Sequence, residues 1–211
     1  MPPRRLGHVP ATGRDVNVFL NIPYDSRFEK LYLAYIAGVS AFGLIPRATL
    51  ELTASERRLS RISRLLQDCQ YAVHDLSRVE LDRTPPCTPR FNMPFELGLS
   101  VAWARIGSTP HSWYIFEARA HRLEKSLSDL NGSDVHVHGG RIDGIFRELC
   151  NAFVRVSRRP TVPDMWRVYR DLRKSLPEIH ADAGAHSAFE ARTFRDLSLV
   201  AKQSAVLHVR R

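Results

Sequence analysis

A chain of 211 residues, 44% hydrophobic and 25% charged, is long enough to bury a real core as one domain with or without an appendage. Its composition is that of a globular protein without low-complexity tracts. No apolar run approaches the roughly 18 residues of a membrane span. Three widely spaced cysteines (Cys69, Cys87, Cys150) without a CxxC pair argue against a disulfide framework or zinc knuckle and for a reducing compartment. The net charge of +9 admits nucleic acid or phosphorylated small molecules as partners. The arginines, however, are spread along the chain rather than collected in one tract.

Residues 1–14 form a polar, Pro/Arg/Gly-rich lead without the apolar centre of a secretory signal, so a cytoplasmic location is expected. Residues 16–20 (VNVFL) predict a short buried strand closed by Asn21-Ile22-Pro23. Asp25 offers an N-cap to a helix with Phe28, Leu31, Tyr32, Tyr35 and Val39 at helical spacing, ending at Phe42-Gly43. A second strand is expected over 45–50. Thr53 or Ser55 then caps a helix ending near Asp68, with Leu59, Ile62 and Leu66 on one face. Arg57, Arg61 and Arg64 on the other face read as solvated. A third strand over 70–74 stops at Asp75-Leu76-Ser77-Arg78.

Pro85, Pro86 and Pro89 keep the next connection irregular. A helix then opens near Asn92, with Pro94 in its first turn, where a missing N–H costs little. Residues 113–116 and 135–137 predict a fourth strand and a short fifth, and 142–156 a strongly periodic helix. Strands alternating with helices imply right-handed crossovers and an α/β fold: a parallel sheet of about five strands covered on both faces. The first three strands are expected in adjacent central positions. Past Arg158, Pro160 and Pro163 interrupt the chain. Met165, Tyr169 and Leu172 space a helix to about Ser175, and a last helix covers about 189–207. The expected organisation is a lead (1–14), an α/β domain (15–158) and a helical extension (159–211). Leu172, Leu176, Phe189, Phe194, Leu197 and Val200 give that extension an apolar surface for the sheet domain, a second copy or a partner protein.

In an open parallel sheet, ligands bind beyond the carboxyl ends of the strands. That rule gathers Asn21, Tyr24 and Asp25 after the first strand with Asp75, Ser77 and Arg78 after the third. Glu96, expected in the first turn of an otherwise apolar helix, is either a carboxylate facing the helix dipole or a buried group with a task. Gly98 suits close approach of another backbone. His136-x-His138 lacks a third ligand at metal spacing and reads as structural, so no metal site is assigned. Ser77 and Ser100 lack a nucleophile elbow. There is neither a Gly-x-Gly-x-x-Gly fingerprint nor a Walker loop.

Asn21-Ile-Pro-Tyr-Asp after the first strand, Asp75 after the third, and Asn92…Glu96-Leu-Gly in the following helix together resemble the nucleoside 2-deoxyribosyltransferase-like group. They are equally similar to the bacterial TIR-like domains, which share a flavodoxin-like architecture. The resemblance covers about residues 15–150. It implies cleavage of an N-glycosidic bond, with a nucleoside or a nucleotide such as NAD as substrate rather than cofactor, and a bacterial toxin or immune effector role. Glu96 would act at the anomeric carbon, with Asp75 as the acidic residue ending the preceding strand and Tyr24 as the aromatic contact. Asp75 or Asn92 would hold ribose hydroxyls, and Arg78 and Arg90 would suit phosphates. The deoxyribosyltransferases place an Asp-x-Gly-Thr stretch before the Glu, where this chain has Arg90-Phe91-Asn92-Met93-Pro94. Base exchange on a free deoxynucleoside is therefore in doubt, and hydrolysis of a larger nucleotide stays open. Two rivals remain: a nucleotide-binding or assembly module without turnover, and a nucleic-acid binder supported by charge alone.

Overall fold

Five apolar runs become strands of one all-parallel sheet: β1 (Asn17–Asn21), β2 (Ile45–Arg47), β3 (Tyr71–Asp75), β4 (Ser112–Glu117) and β5 (Val135–Val137). Their order is β2-β1-β3-β4-β5. The computed structural model describes residues 16–51, 57–80 and 85–209; the 1–14 lead and the Thr53 and Ser55 caps lie outside them. This is the flavodoxin-like order, whose strand sequence reverses between β1 and β3 and opens a crevice at their carboxyl ends. β2 is an edge strand, not a central one. Pro46 has no N–H to donate, which an edge tolerates. β2 is also shorter than expected because Glu51 pulls the chain into a 3-10 turn, Thr49–Glu51. Its carboxylate accepts the Ala48 N–H at 2.7 Å and pairs with Arg47 at 3.0 Å.

The helices are α1 (Glu29–Ala41), α2 (Arg58–Asp68), α3 (Asn92–Ile106), a short α4 (Arg122–Ser126), α5 (Ile142–Ala152), α6 (Val162–Ala183) and α7 (Ala191–His208). α1 and α5 pack on one face of the sheet, while α2 and α3 pack on the other. Every residue of α1 from Tyr32 to Ala41 is buried, as a helix apolar on all sides requires. Its outer side is covered by α6 and α7: Met165, Val168, Leu172, Phe194 and Leu197 belong to the same core as Leu33, Ile36 and Phe146. At Gly38 an added Cβ would run into Leu149 of α5, so glycine lets the two helices close together. The extension therefore covers the sheet domain, one of its expected roles. Tyr32 Oη fastens it by donating to the Ala188 carbonyl at 3.1 Å. Arg158 Nη2 donates to the Ala205 and Val209 carbonyls at the end of α7.

Several local expectations change. α6 continues past Ser175 through Pro177 to Ala183. An interior proline costs about 3 kcal/mol, but Leu176 and Ile179 on either side are buried in the core. The Thr161/Asp164 capping box and left-handed Gly184 fix the helix ends. Asp25 does not cap α1; its carboxylate accepts the Arg27 N–H, and the helix starts after Phe28. In α2 the buried residues are Ile62, Leu65 and Leu66, while Leu59 is half exposed. No helix among the described residues is long and apolar enough to cross a membrane.

Candidate functional site

At the β1/β3 crevice lies a cavity of about 370 Å³. Its floor is Asn21 at the end of β1, followed by Ile22, Pro23 and Tyr24; Met93, Asn92 and Glu96 of α3 form one wall. Thr49 and Arg58 enter from the β2–α2 side, and Arg78 and Arg90 from the β3–α3 connection. Three segments distant in sequence thus meet where the change in strand order leaves room.

Glu96 is the acidic group of this lining. It lies in the second turn of α3, beyond the first-turn amides, so the helix dipole does not account for it. The residue is 2% exposed. Burial pushes its carboxyl above the ordinary carboxylate range, while Arg58 Nη2, donating to Oε1 at 3.3 Å, pulls it back down. Arg58 is itself more than half exposed. The buried acid is therefore matched to a cation on the solvent side. Gly98, two residues further along α3, does not serve a close approach: an added Cβ would meet nothing there.

Asn21 is oriented from behind. Its Nδ2 donates to His74 Nδ1 at 2.9 Å and to the Met93 carbonyl at 3.1 Å. Both amide hydrogens are thus used inside the protein, and Oδ1 is left as the group an incoming donor can meet. His74 is fully buried, and desolvation followed by the nearby His111 lowers its pKa to about 3. The ring is consequently neutral, with Nδ1 as acceptor. His111 is fixed in turn between the Cys69 carbonyl at 2.8 Å and Ser100 Oγ at 2.6 Å.

Tyr24 lines the cavity, but its ring packs against Tyr32 and Phe189, each at a 6.1 Å centroid distance. Its hydroxyl, raised in pKa chiefly by burial, donates back to the Leu20 carbonyl at 3.3 Å. Phe189, between α6 and α7, thereby brings the extension to the site. Asn92 is exposed at the start of α3 and also lines the cavity. Asp25 stands behind the wall, where Arg78 Nε and Arg90 Nη1 both lie 3.3 Å from its Oδ2.

Asp75 and Ser77 do not line the cavity. Neighbours along a strand face opposite sides. His74, paired in register with Asn21, looks toward α3, so Asp75 looks toward α1. There Asp75 is fully buried, accepting the Tyr35 hydroxyl at 2.7 Å and the Ser77 N–H at 2.8 Å. His138 Nε2 lies 3.2 Å from the Asp75 carboxylate and 3.0 Å from Ser77 Oγ. Since His138 Nδ1 accepts the Gly140 N–H at 3.1 Å, the neutral ring carries its proton on Nε2. A hydrolase triad needs the acid at one ring nitrogen and the serine at the other. Here both share Nε2, so the cluster is a buried strut between β3 and the end of β5. His136 separates from its neighbour, pairing with Glu148 at 3.0 Å and stacking on Phe116.

Of the residues selected from sequence, Glu96, Asn21, Tyr24, Arg78, Arg90 and Asn92 meet around one cavity, while Asp75, Ser77 and Asp25 lie outside its lining. Arg58 and Thr49 went unselected. Arg58 lies 38 positions from Glu96, and nothing local distinguishes it from the other arginines of α2. No family model, curated protein or solved structure matches this chain.

Proposed function

We propose that this chain cleaves the N-glycosidic bond of a nucleotide, such as NAD, or of a nucleoside, with Glu96 as the catalytic residue. The observation that carries the reading is a carboxylate buried in a cavity at the switch point of the sheet, countered by an arginine from the solvent side. The resemblance of Asn21–Asp25, Asp75 and Asn92–Glu96 to the deoxyribosyltransferase-like and TIR-like domains supports the same chemistry and, by extension, a toxin or immune effector role.

As the bond from C1′ to the base nitrogen breaks, the electron pair leaves with the base and positive charge builds on the ribose. Ionised Glu96, itself almost fully buried, either opposes that charge or bonds to C1′. Water then adds at C1′ and the carboxylate is restored; the water's proton goes to solvent when the base leaves neutral, as nicotinamide does, or to the base when it leaves as an anion. Asn21 Oδ1 and Asn92 are placed to receive ribose hydroxyls. Asp75 acts only as a positioning residue for the end of β3. Because burial raises the Glu96 pKa, turnover should rise with pH through that shifted value as the carboxylate ionises.

A second reading, binding without turnover, is favoured by the Arg58–Glu96 contact, which occupies the carboxylate in the free chain. Incubating purified protein with nucleosides, mononucleotides and NAD and measuring free base by chromatography separates the two. Base release lost in Glu96→Gln supports catalysis; saturable binding without release supports the module.

A further inference from the structure

Two of the cavity's arginines, Arg78 and Arg90, converge on a single oxygen, Asp25 Oδ2, at 3.3 Å each. Asp25 is itself held by the Arg27 N–H on its other oxygen and does not line the cavity. The carboxylate thus acts as a peg from behind: it neutralises one charge, accepts an N–H from Arg90 and pairs electrostatically with Arg78. What faces the cavity is a pair of like charges with a net charge of +1 and several unused donors. Both side chains are partly exposed, at 34% and 41%, so neither is committed to the core. Asp25 offsets only one of the two guanidinium charges, and the planar forks of such a pair suit a phosphate. A second feature points the same way. Asn92 and Met93, the first residues of the 15-residue α3, line the cavity, and no side chain caps that helix start. Its N–H groups supply a partial positive charge on the same wall.

We infer that Arg78 and Arg90, pegged by Asp25, form a phosphate clamp, and that the ligand of this cavity is a phosphorylated nucleoside rather than a free one. This rests on the nucleotide reading above and narrows its substrate class. The cavity stands at the small end of the roughly 300–1,000 Å³ typical of small-molecule sites, so it holds a mononucleotide or one half of a dinucleotide. Arg58 is kept apart from the clamp, because its partner is Glu96.

Calorimetric titration of the full chain at low salt tests this with four probes: inorganic phosphate, a nucleoside, its 5′-monophosphate, and NAD. The expected result is measurable phosphate binding and a 5′-monophosphate or NAD bound about tenfold to hundredfold tighter than the nucleoside, from two charge-assisted contacts. A preference for the monophosphate assigns the clamp to a terminal phosphate, and a preference for NAD to a bridging one. Arg78→Gln and Arg90→Gln should each remove most of that preference and leave nucleoside affinity alone. The charge-retaining Arg90→Lys should keep part of it and guards against a variant lost to misfolding. Glu96→Gln should leave the preference at least as strong, because a released Arg58 can only add positive charge to the same cavity, so failure of the glycosidase chemistry is read separately. Equal affinity for nucleoside and phosphorylated forms, no phosphate binding by the wild type, or an unchanged preference in both glutamine variants would overturn the clamp.

Discussion

At Glu96 two demands oppose each other: burial disfavours the charge that the proposed chemistry requires, and Arg58 restores it. The linkage has a definite sign. Between the ordinary and the raised pKa, the native chain holds a proton that the unfolded chain has lost, so the ionised carboxylate costs stability at neutral pH. Glu96→Gln should therefore melt at the wild-type temperature or about 2–4 °C above it, while base release falls about 10²–10³-fold. A clear drop in melting temperature would show that the Arg58 contact outweighs burial. His74 has the reverse sign. Its pKa is lowered from 6.5 to about 3, so between these values the unfolded chain binds a proton that the native ring refuses. Stability should fall as pH drops through that window, by up to ~1.4 kcal/mol per pH unit for one proton. His111 is shifted in the same direction. Melting curves from pH 7 to pH 4 should be shallower for His74→Gln, which keeps an acceptor for Asn21 but does not titrate. Identical slopes would remove His74 from the acid sensitivity.

Among the elements, α1 and α3 show how differently two helical glycines behave. Gly38 sits where α1 meets Leu149 of α5, whereas Gly98 faces open space. Gly38→Val should destabilise by about 1–3 kcal/mol through overpacking. Gly98→Ala should stabilise by about 0.5–1 kcal/mol through helix propensity. Chemical denaturation of both variants checks the pair, and a stabilised Gly38→Val would deny the close packing of α1 on α5. Elements with strong periodicity were legible in the sequence: β1, β3, β4, β5, α1, α3 and α5 lie within a few residues of their expected places, and the Asn92 helix start coincides. What escaped depended on tertiary contacts. β2 is cut short by the Glu51 side chain, and Pro177 is carried inside α6 by its buried neighbours. α4 has too few turns to set up a period. At the site, strand alternation already separates His74 from Asp75, so their division between two faces was readable. The approach of Arg58 to Glu96 was not, because it depends on how α2 lies against α3.

For the whole molecule, the sheet and the terminal helices share one core, and α1 lies between α5 and the α6–α7 pair. A chain ending at 158 would expose Tyr32, Leu33 and Ile36 over an apolar area larger than soluble monomers usually tolerate. Such a truncation should be insoluble or aggregated in size-exclusion chromatography. A soluble, cooperatively melting fragment would contradict the shared core. The extension also backs the cavity, where Phe189, between α6 and α7, packs against the lining residue Tyr24. That construction, a switch-point cavity with one buried carboxylate, leads to the central claim that Glu96 breaks a glycosidic bond. The most direct test is free base released from nucleosides, mononucleotides and NAD by wild-type protein and by Glu96→Gln at matched concentration. Release by the wild type, reduced at least about a hundredfold in the variant, is the predicted result; full turnover by Glu96→Gln, or binding without any release by the wild type, would contradict it.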